Sequence, residues 1–538
     1  MTNRITTLLG LMVVCAFQAT AQTTVVVEKT KTTDYEGNIA TRSGVIMGSY
    51  SNDEVRDVRF SGSQMIVTTK NGVEKRHEIT DIDHVQHSAA GLNRLDIFMP
   101  PSMAEYMSYD TSVDTPDADR AEGFAEIEYN AERTVRIAYN DSEATVTGDT
   151  GDMTVSIDGA NVTITSEGLF DEFIITGSSQ RGSLTLNNTY SSQVRFDNAS
   201  LHNIGAPTIT ATGGLLVTTA PSTINRCGGI KTPDVLTFHG KGCLNLLTRD
   251  DDLNAAECNA LWVYGGTLNV YTSGNRANGL YSHNDLRIEN GSINIITTGD
   301  ADDDECDNGS CAMRCLNARI DGGKIRVRTV GIYGAQGINA SASIEINGGV
   351  IAFECNEDVL KADSGDIEIF GGKVWLTSSV DDCVNCNDGI KLQNCEFYAV
   401  GPFPEESIFD NNGKAFTTVN AKFFAVASKT DKPQTDKTKQ SYIVIKKNFA
   451  PDNYVRICDM DDNEIVTYAT PKYTNMVEKK DKQASLLVSW PGITKLTNYK
   501  VYTAPAIEGG TESWGEVTGA KLVNPTLVGT FESTKCKD

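Results

Sequence analysis

The fold class this sequence predicts is all-β: a right-handed parallel β-helix with a small N-terminal β module and a C-terminal β-rich cap. Three observations carry that expectation. An internal repeat runs through the middle of the chain, each unit holds two alternating strands about a glycine turn, and the repeated stretch lacks helix-period patterning.

The repeat appears when the glycine turns are aligned. Leu261-Trp-Val-Tyr-Gly-Gly-Thr-Leu-Asn-Val270 is followed by Leu286 to Ile295, Ala318 to Val327, Ile344 to Phe353, Ile367 to Leu376 and Ile390 to Ala399. Anchored on Gly265, Asn290, Gly322, Gly348, Gly371 and Asn394, the steps are 25, 32, 26, 23 and 23 residues. Apolar residues hold four fixed places, as at Ile344, Ile346, Ile351 and Phe353, with polar residues between them. One such strand pair cannot bury a core alone. Stacked coils can, because each inward residue then sits on its counterpart about 4.8 Å away. A third short strand precedes each turn, as in Gly337-Ile-Asn-Ala340. The step of 32 holds an insertion, Asp300 to Asp307, and insertions in solenoids become loops on one face. Weaker coils reach back to about Val155, so Ile288, Ile320, Ile346 and Ile369 are expected in one interior column.

The ends follow from composition and turn chemistry. Arg4, the apolar run Leu8 to Phe17 and the small-residue site Ala19-Thr20-Ala21 read as a secretory leader over residues 1–21. The run is too short to span a bilayer. Cys15 raises a lipoprotein alternative, although Val13 and Val14 are bulky for a lipidation box. The expected location is extracellular or at the cell surface. Residues 22–98 form an expected β-hairpin module, with Met65 to Lys70 and Val73 to Ile79 joined at Asn71-Gly72. The module resembles one common at the front of secreted Bacteroidota proteins. Residues 99–122 read as a linker, 123–430 as the β-helix, and 431–538 as a β-rich segment that could cap the open strand edges. A Lys/Thr/Asp stretch, Lys429 to Lys439, reads as the joint between the last two.

The 538 residues include 71 acidic and 47 basic ones, a formal charge of -24 that repels phosphate backbones and excludes nucleic acid as a partner. With Cys15 in the leader, 12 of the 13 cysteines remain, an even number that favours some disulfides in an exported chain. Cys383 and Cys386 have CxxC spacing, and Cys306, Cys311 and Cys315 cluster. Structural bridges or buried thiols suit these spacings better than a zinc site, since the six histidines form no ligand motif. Nothing fixes an oligomeric state.

Gly337-Ile-Asn-Ala, Asp358-Val-Leu-Lys and Asp388-Gly-Ile-Lys each lead into a strand and a glycine turn. They resemble the repeats of a β-helical carbohydrate-binding family of clostridial and Bacteroidota surface proteins. Ser485-Leu-Leu-Val-Ser-Trp and Tyr499-Lys-Val-Tyr-Thr are similar to that family's C-terminal segment, so the likeness spans roughly residues 145 to 503. It implies a fold related to pectate lyases, bound calcium, and an acidic or plant polysaccharide as partner. The sequence departs from the pattern where Asn, Gln and Ser replace Asp.

Aligning the third strand gives a column of pairs: Ala277-Asn278, Gly309-Ser310, Ala335-Gln336, Glu357-Asp358 and Asp381-Asp382. Glu357, Asp358, Asp381 and Asp382 would crowd four carboxylates onto neighbouring coils, a conflict that Ca²⁺ removes because it takes six to eight oxygen ligands. Asp302, Asp303 and Asp304 in the insertion are further candidate calcium ligands, and Asp250 to Asp252 a weaker set. Lys324, Arg326, Arg328, Lys373, Trp375 and Tyr398 fall on outward positions after the turn, where aromatics stack on sugars and cations pair with uronates. Lys361 beside Asp358 is the base a calcium-dependent lyase would use; a salt bridge to Asp358 or Asp363 is the plainer expectation. The reading is therefore a secreted, noncatalytic polysaccharide binder with structural calcium. A pectate-type lyase and a structural surface adhesin are the alternatives.

Overall fold

The structure is a computed structural model. It describes residues 45–51, 55–61, 64–69, 74–78, 84–87 and 94–99. From 131 onwards it describes all but 302–308, 332, 402–405, 428–430, 448–452, 470–484, 514 and 538. The described residues form strands, turns and bends, with no helix among them. The chain divides into two units, 1–108 and 109–538.

The smaller unit holds two antiparallel three-stranded sheets. Gln64–Thr69 pairs with both Val55–Ser61 and Glu74–Glu78, which is the hairpin read around Asn71-Gly72. His84–His87 joins the other sheet, beside Arg94–Met99 and Val45–Ser51. The hairpin's turn lies outside the described residues, as does most of the linker read over 99–122.

In the larger unit the chain winds into a parallel β-solenoid with three strands per coil. We number its faces. Sheet I includes Ala256–Cys258, Leu280–Ser282, Leu360–Ala362 and Val384–Cys386. Sheet II includes Ala260–Val263, Asp285–Ile288, Ile367–Ile369 and Ile390–Gln393. Sheet III, after the glycine turn, runs from Ile224–Cys227 through Lys324–Thr329 and Lys373–Ser378 to Lys422–Ala427. The expected column exists: Ile288, Ile320, Ile346 and Ile369 are register partners, each 0% exposed. Ile325, Ile351, Val374 and Phe397 line sheet III from inside in the same way.

The second residue of each glycine turn explains why the repeat keeps it. Gly323, Gly349 and Gly372 have φ of 91°, 92° and 80°. A Cβ on each would come within 2.8 Å or less of the preceding coil's carbonyl oxygen. Only glycine meets both demands. In the next coil the left-handed residue moves back to Asn394 (φ 51°), a side chain that tolerates it, and Cys395 takes the following place.

Cysteine is used here as a small apolar residue. All the described cysteines are free and buried, and Cys227, Cys258, Cys315, Cys355, Cys383, Cys386 and Cys395 belong to the solenoid core. The expected disulfides are therefore not found among them. Cys315 and Cys386 share one interior column with Ala340 and Ala362, all short side chains.

Both ends of the solenoid are closed. At the front, Arg133–Asn140 pairs parallel with Asp171–Ser179 and antiparallel with Glu143–Gly148. At the back, Ser485–Ser489 runs antiparallel to both Lys422–Ala427 and Ile443–Lys446, so the last strand of sheet III has a partner. The described part of the stretch read as a joint, from Asp431 on, packs onto the last coil. Asp431 and Gln434 N–H donate to the Phe409 and Phe416 carbonyls, and Thr438 Oγ1 accepts from Thr418 N–H. A six-stranded antiparallel sheet, including Tyr454–Cys458, Glu464–Ala469 and Asn498–Ala504, then forms a second core against sheet III.

Candidate polysaccharide and cation site

Between sheets III and I the chain turns two residues before each sheet I strand, and those positions stack. Leu280, Met313, Ile338, Leu360 and Val384 are register partners. The column two residues upstream is therefore Asn278, Cys311, Gln336, Asp358 and Asp382. The pair expected at Gly309-Ser310 is really Ser310-Cys311, because the insertion shifts the register by one residue. The upstream members satisfy one another: Asn278 N–H donates to Asn254 Oδ1 at 2.8 Å, and Cys311 N–H to Asn278 Oδ1 at 3.1 Å.

At Asp358 the amide ladder becomes acidic. Asp358, Asp381 and Asp382 each offer a carboxylate oxygen, and these oxygens lie within 4.8 Å of one another. Asp358 is 1% exposed and Asp382 3%. Asn385 Nδ2 donates to Asp358 Oδ2 at 3.2 Å, and Ser407 N–H to Asp382 Oδ1 at 2.7 Å. Burial, then the charge of Asp381, lifts Asp358 well above the carboxylate range. Burial likewise raises Asp381 and pushes Asp382 up to about 7. Three carboxyls this close and this dry resist sharing negative charge. An all-oxygen set with amide and backbone oxygens nearby fits a hard dication such as Ca²⁺.

Other expected ligands divide. Glu357 stands beside the cluster without joining it. Asp302, Asp303 and Asp304 lie outside the described residues. Asp250, Asp251 and Asp252 are spent on loop bonds: to Gly205 N–H at 2.9 Å, to Asn275 N–H at 2.9 Å and to the Arg276 guanidinium at 2.7 Å.

Lys361 Nζ lies 3.6 Å from Asp358 Oδ2, the plainer of its two expected roles. Burial pushes its pKa down, but Asp358, Asp363, Asp381 and Glu357 outweigh that and raise it. On the outward side of sheet I, Lys361 shares a column with Tyr281, Arg314, Asn339, Asn385 and Asp410. Arg314 Cζ sits 5.6 Å from the Tyr281 ring centroid. The sequence alignment missed Arg314, since the slipped register hid that it continues the Asn339–Lys361 column, and it did not follow that column back to Tyr281.

The outward strip on sheet III is in the expected register, but it is not one sugar-facing surface. Arg326, Ala352, Trp375, Tyr398 and Phe424 form one column. Lys324 and Arg326 are exposed, and Arg328 is half-buried, 3.9 Å from Glu354. Tyr398 is 0% exposed. Its ring stacks on Tyr468 at 5.5 Å, and its hydroxyl donates to Glu516 Oε2 at 3.2 Å. Trp375 stacks on Tyr468 at 6.4 Å, and Lys373 lies 5.5 Å from the Tyr398 ring centroid and 3.5 Å from Glu396. The aromatic half of the strip thus fastens the C-terminal sheet. Tyr271, which leads through Ile296 into the Arg328 column, is buried too. The capping sheet contributes Tyr468, which no pattern within the repeats could reveal.

Residues 158–400 match a family model described as "Carbohydrate-binding domain-containing protein". That segment contains the carboxylate corner and the Tyr281–Asn385 column. The solenoid and this match fit a β-helical carbohydrate-binding family, as the repeats had suggested. No curated protein matches. Among solved structures, the chain is similar to the "polysaccharide lyase-like protein from C. thermocellum, Gadolinium derivative", at 14% identity and a TM-score of 0.29, over 54% of this chain and 96% of that one. No helix among the described residues is long and apolar enough to cross a membrane.

Proposed function

We propose that this chain is an exported, noncatalytic binder of acidic polysaccharide, and that Asp358, Asp381 and Asp382 hold a Ca²⁺ beside the sugar. The observation that carries the reading is the position of this buried carboxylate corner inside the carbohydrate-binding match, next to an outward column bearing Arg314 and Lys361. A cation there offsets the mutual repulsion of the carboxylates and offers open coordination to a uronate carboxyl. Arg314 supplies a planar fork for a second carboxyl, and Asn339 and Asn385 supply amides for hydroxyls. Lys361, 3.6 Å from Asp358 Oδ2, places a cation beside the corner, where a uronate carboxyl can meet it.

The test is affinity electrophoresis of the whole chain through gels carrying polygalacturonate, with calcium or with a chelator. Retardation should need calcium and should weaken in Asp382→Asn, and calcium should raise the melting temperature of the wild type. If calcium moves neither retardation nor melting, the site is wrong. If unsaturated oligosaccharides accumulate with the wild type and not with Lys361→Ala, the chain is a lyase instead.

A further inference from the structure

Sheet II carries an outward face that the carboxylate corner does not use. Trp262, 36% exposed, is the most exposed tryptophan among the described residues. It heads a column that continues through Arg287, Arg319, Glu345, Glu368 and Lys391. Its neighbour on the preceding coil is Thr237, too short to cover the ring. Tyr264 meets the indole edge-on, centroids 6.2 Å apart and planes at 86°, so it does not stack over the indole face.

Beyond the indole the face is a lattice of paired charges. The Arg287 guanidinium contacts Glu289 and lies 3.4 Å from Asp321; Arg319 lies 2.9 Å from Asp321 and 3.3 Å from Glu345. Lys391 pairs with Glu368. Arg287, Arg319 and Lys391 nearly balance Glu289, Asp321, Glu345 and Glu368, so the face exerts little net pull on a charged ligand. The pairs also hold planar donors and acceptors in fixed positions along the solenoid axis. A protein partner would want an apolar patch at the centre of its interface, and this face surrounds one aromatic pair with polar groups.

We propose that this face is a second glycan-binding surface, independent of calcium, that takes an uncharged polysaccharide. A pyranose ring stacks on Trp262, and hydroxyls of the following sugars bond to Arg287 and Arg319. The proposal rests on the reading of the chain as a polysaccharide binder and adds a second class of ligand to it.

The experiment uses the whole chain in chelator, run through gels carrying soluble galactomannan, arabinoxylan or mixed-linkage β-glucan. At least one should retard it. Trp262→Ala should weaken that retardation about tenfold or more and leave the melting curve unmoved, because the side chain lies at the surface. The same variant should keep its calcium-dependent retardation by polygalacturonate. If none of the three neutral polymers retards the wild type, or Trp262→Ala is retarded equally, this surface is wrong. Loss of polygalacturonate binding by the wild type itself would instead sink the acidic-sugar reading.

Discussion

Ile346 has little room to relax. Ile320 and Ile369 sit on it from the neighbouring coils, all three are 0% exposed, and the same backbone register that stacks them prevents collapse into a void. Ile346→Ala should therefore cost about 2–5 kcal/mol. Glu345, one residue away, points outward and pairs with Arg319 at 3.3 Å, a half-exposed contact worth about 0–1 kcal/mol. Denaturant unfolding of Ile346→Ala and Glu345→Ala measures the contrast, and equal losses would contradict the alternation. At this scale the sequence was readable because period-2 patterning acts on each residue directly. Asp358, Asp381 and Asp382 were legible through the repeat instead, because aligning the coils stacks their turn positions. Glu357 was not separable from them, because adjacent residues at a turn differ only in where the backbone aims them.

Elements are where reading the sequence alone lost accuracy. The glycine turns pinned sheets II and III exactly where the steps were regular, but the insertion after Asp300 let the sheet I column slip by a residue and hid Arg314. Tyr398 and Trp375 were misread for a different reason. Their outward position was correct, yet outward means exposed only when nothing packs on the sheet, and Tyr468 arrives from 70 residues beyond Tyr398. Trp375 now reads as a fastener of the cap. Trp375→Ala should lower stability by about 1–3 kcal/mol, less than for a fully enclosed tryptophan, while retardation by polygalacturonate in calcium stays as in the wild type. Calorimetry and the gel assay together check this. A variant that melts normally but binds poorly would restore the strip as a sugar site.

Over the whole molecule the charge of -24 opposes any polyanion at long range. The two ways of holding an acidic sugar then differ in their response to salt. A cationic strip built on Lys324, Arg326 and Lys373 works by direct attraction, so added NaCl would weaken it. A calcium-bridged site works against the field of the whole molecule. Its bridging contacts are short and partly buried, hence poorly screened, whereas the repulsion between protein and polymer spans many ångströms through water and is screened over about 8–10 Å near physiological ionic strength. At saturating calcium, raising NaCl from low concentration to the physiological range should strengthen retardation by polygalacturonate. Retardation by the neutral polymer at Trp262 should not change, because its balanced face feels little field. A steady loss of polygalacturonate binding with salt would transfer the acidic-sugar contact to the cations of sheet III and leave the carboxylate corner with a purely structural ion.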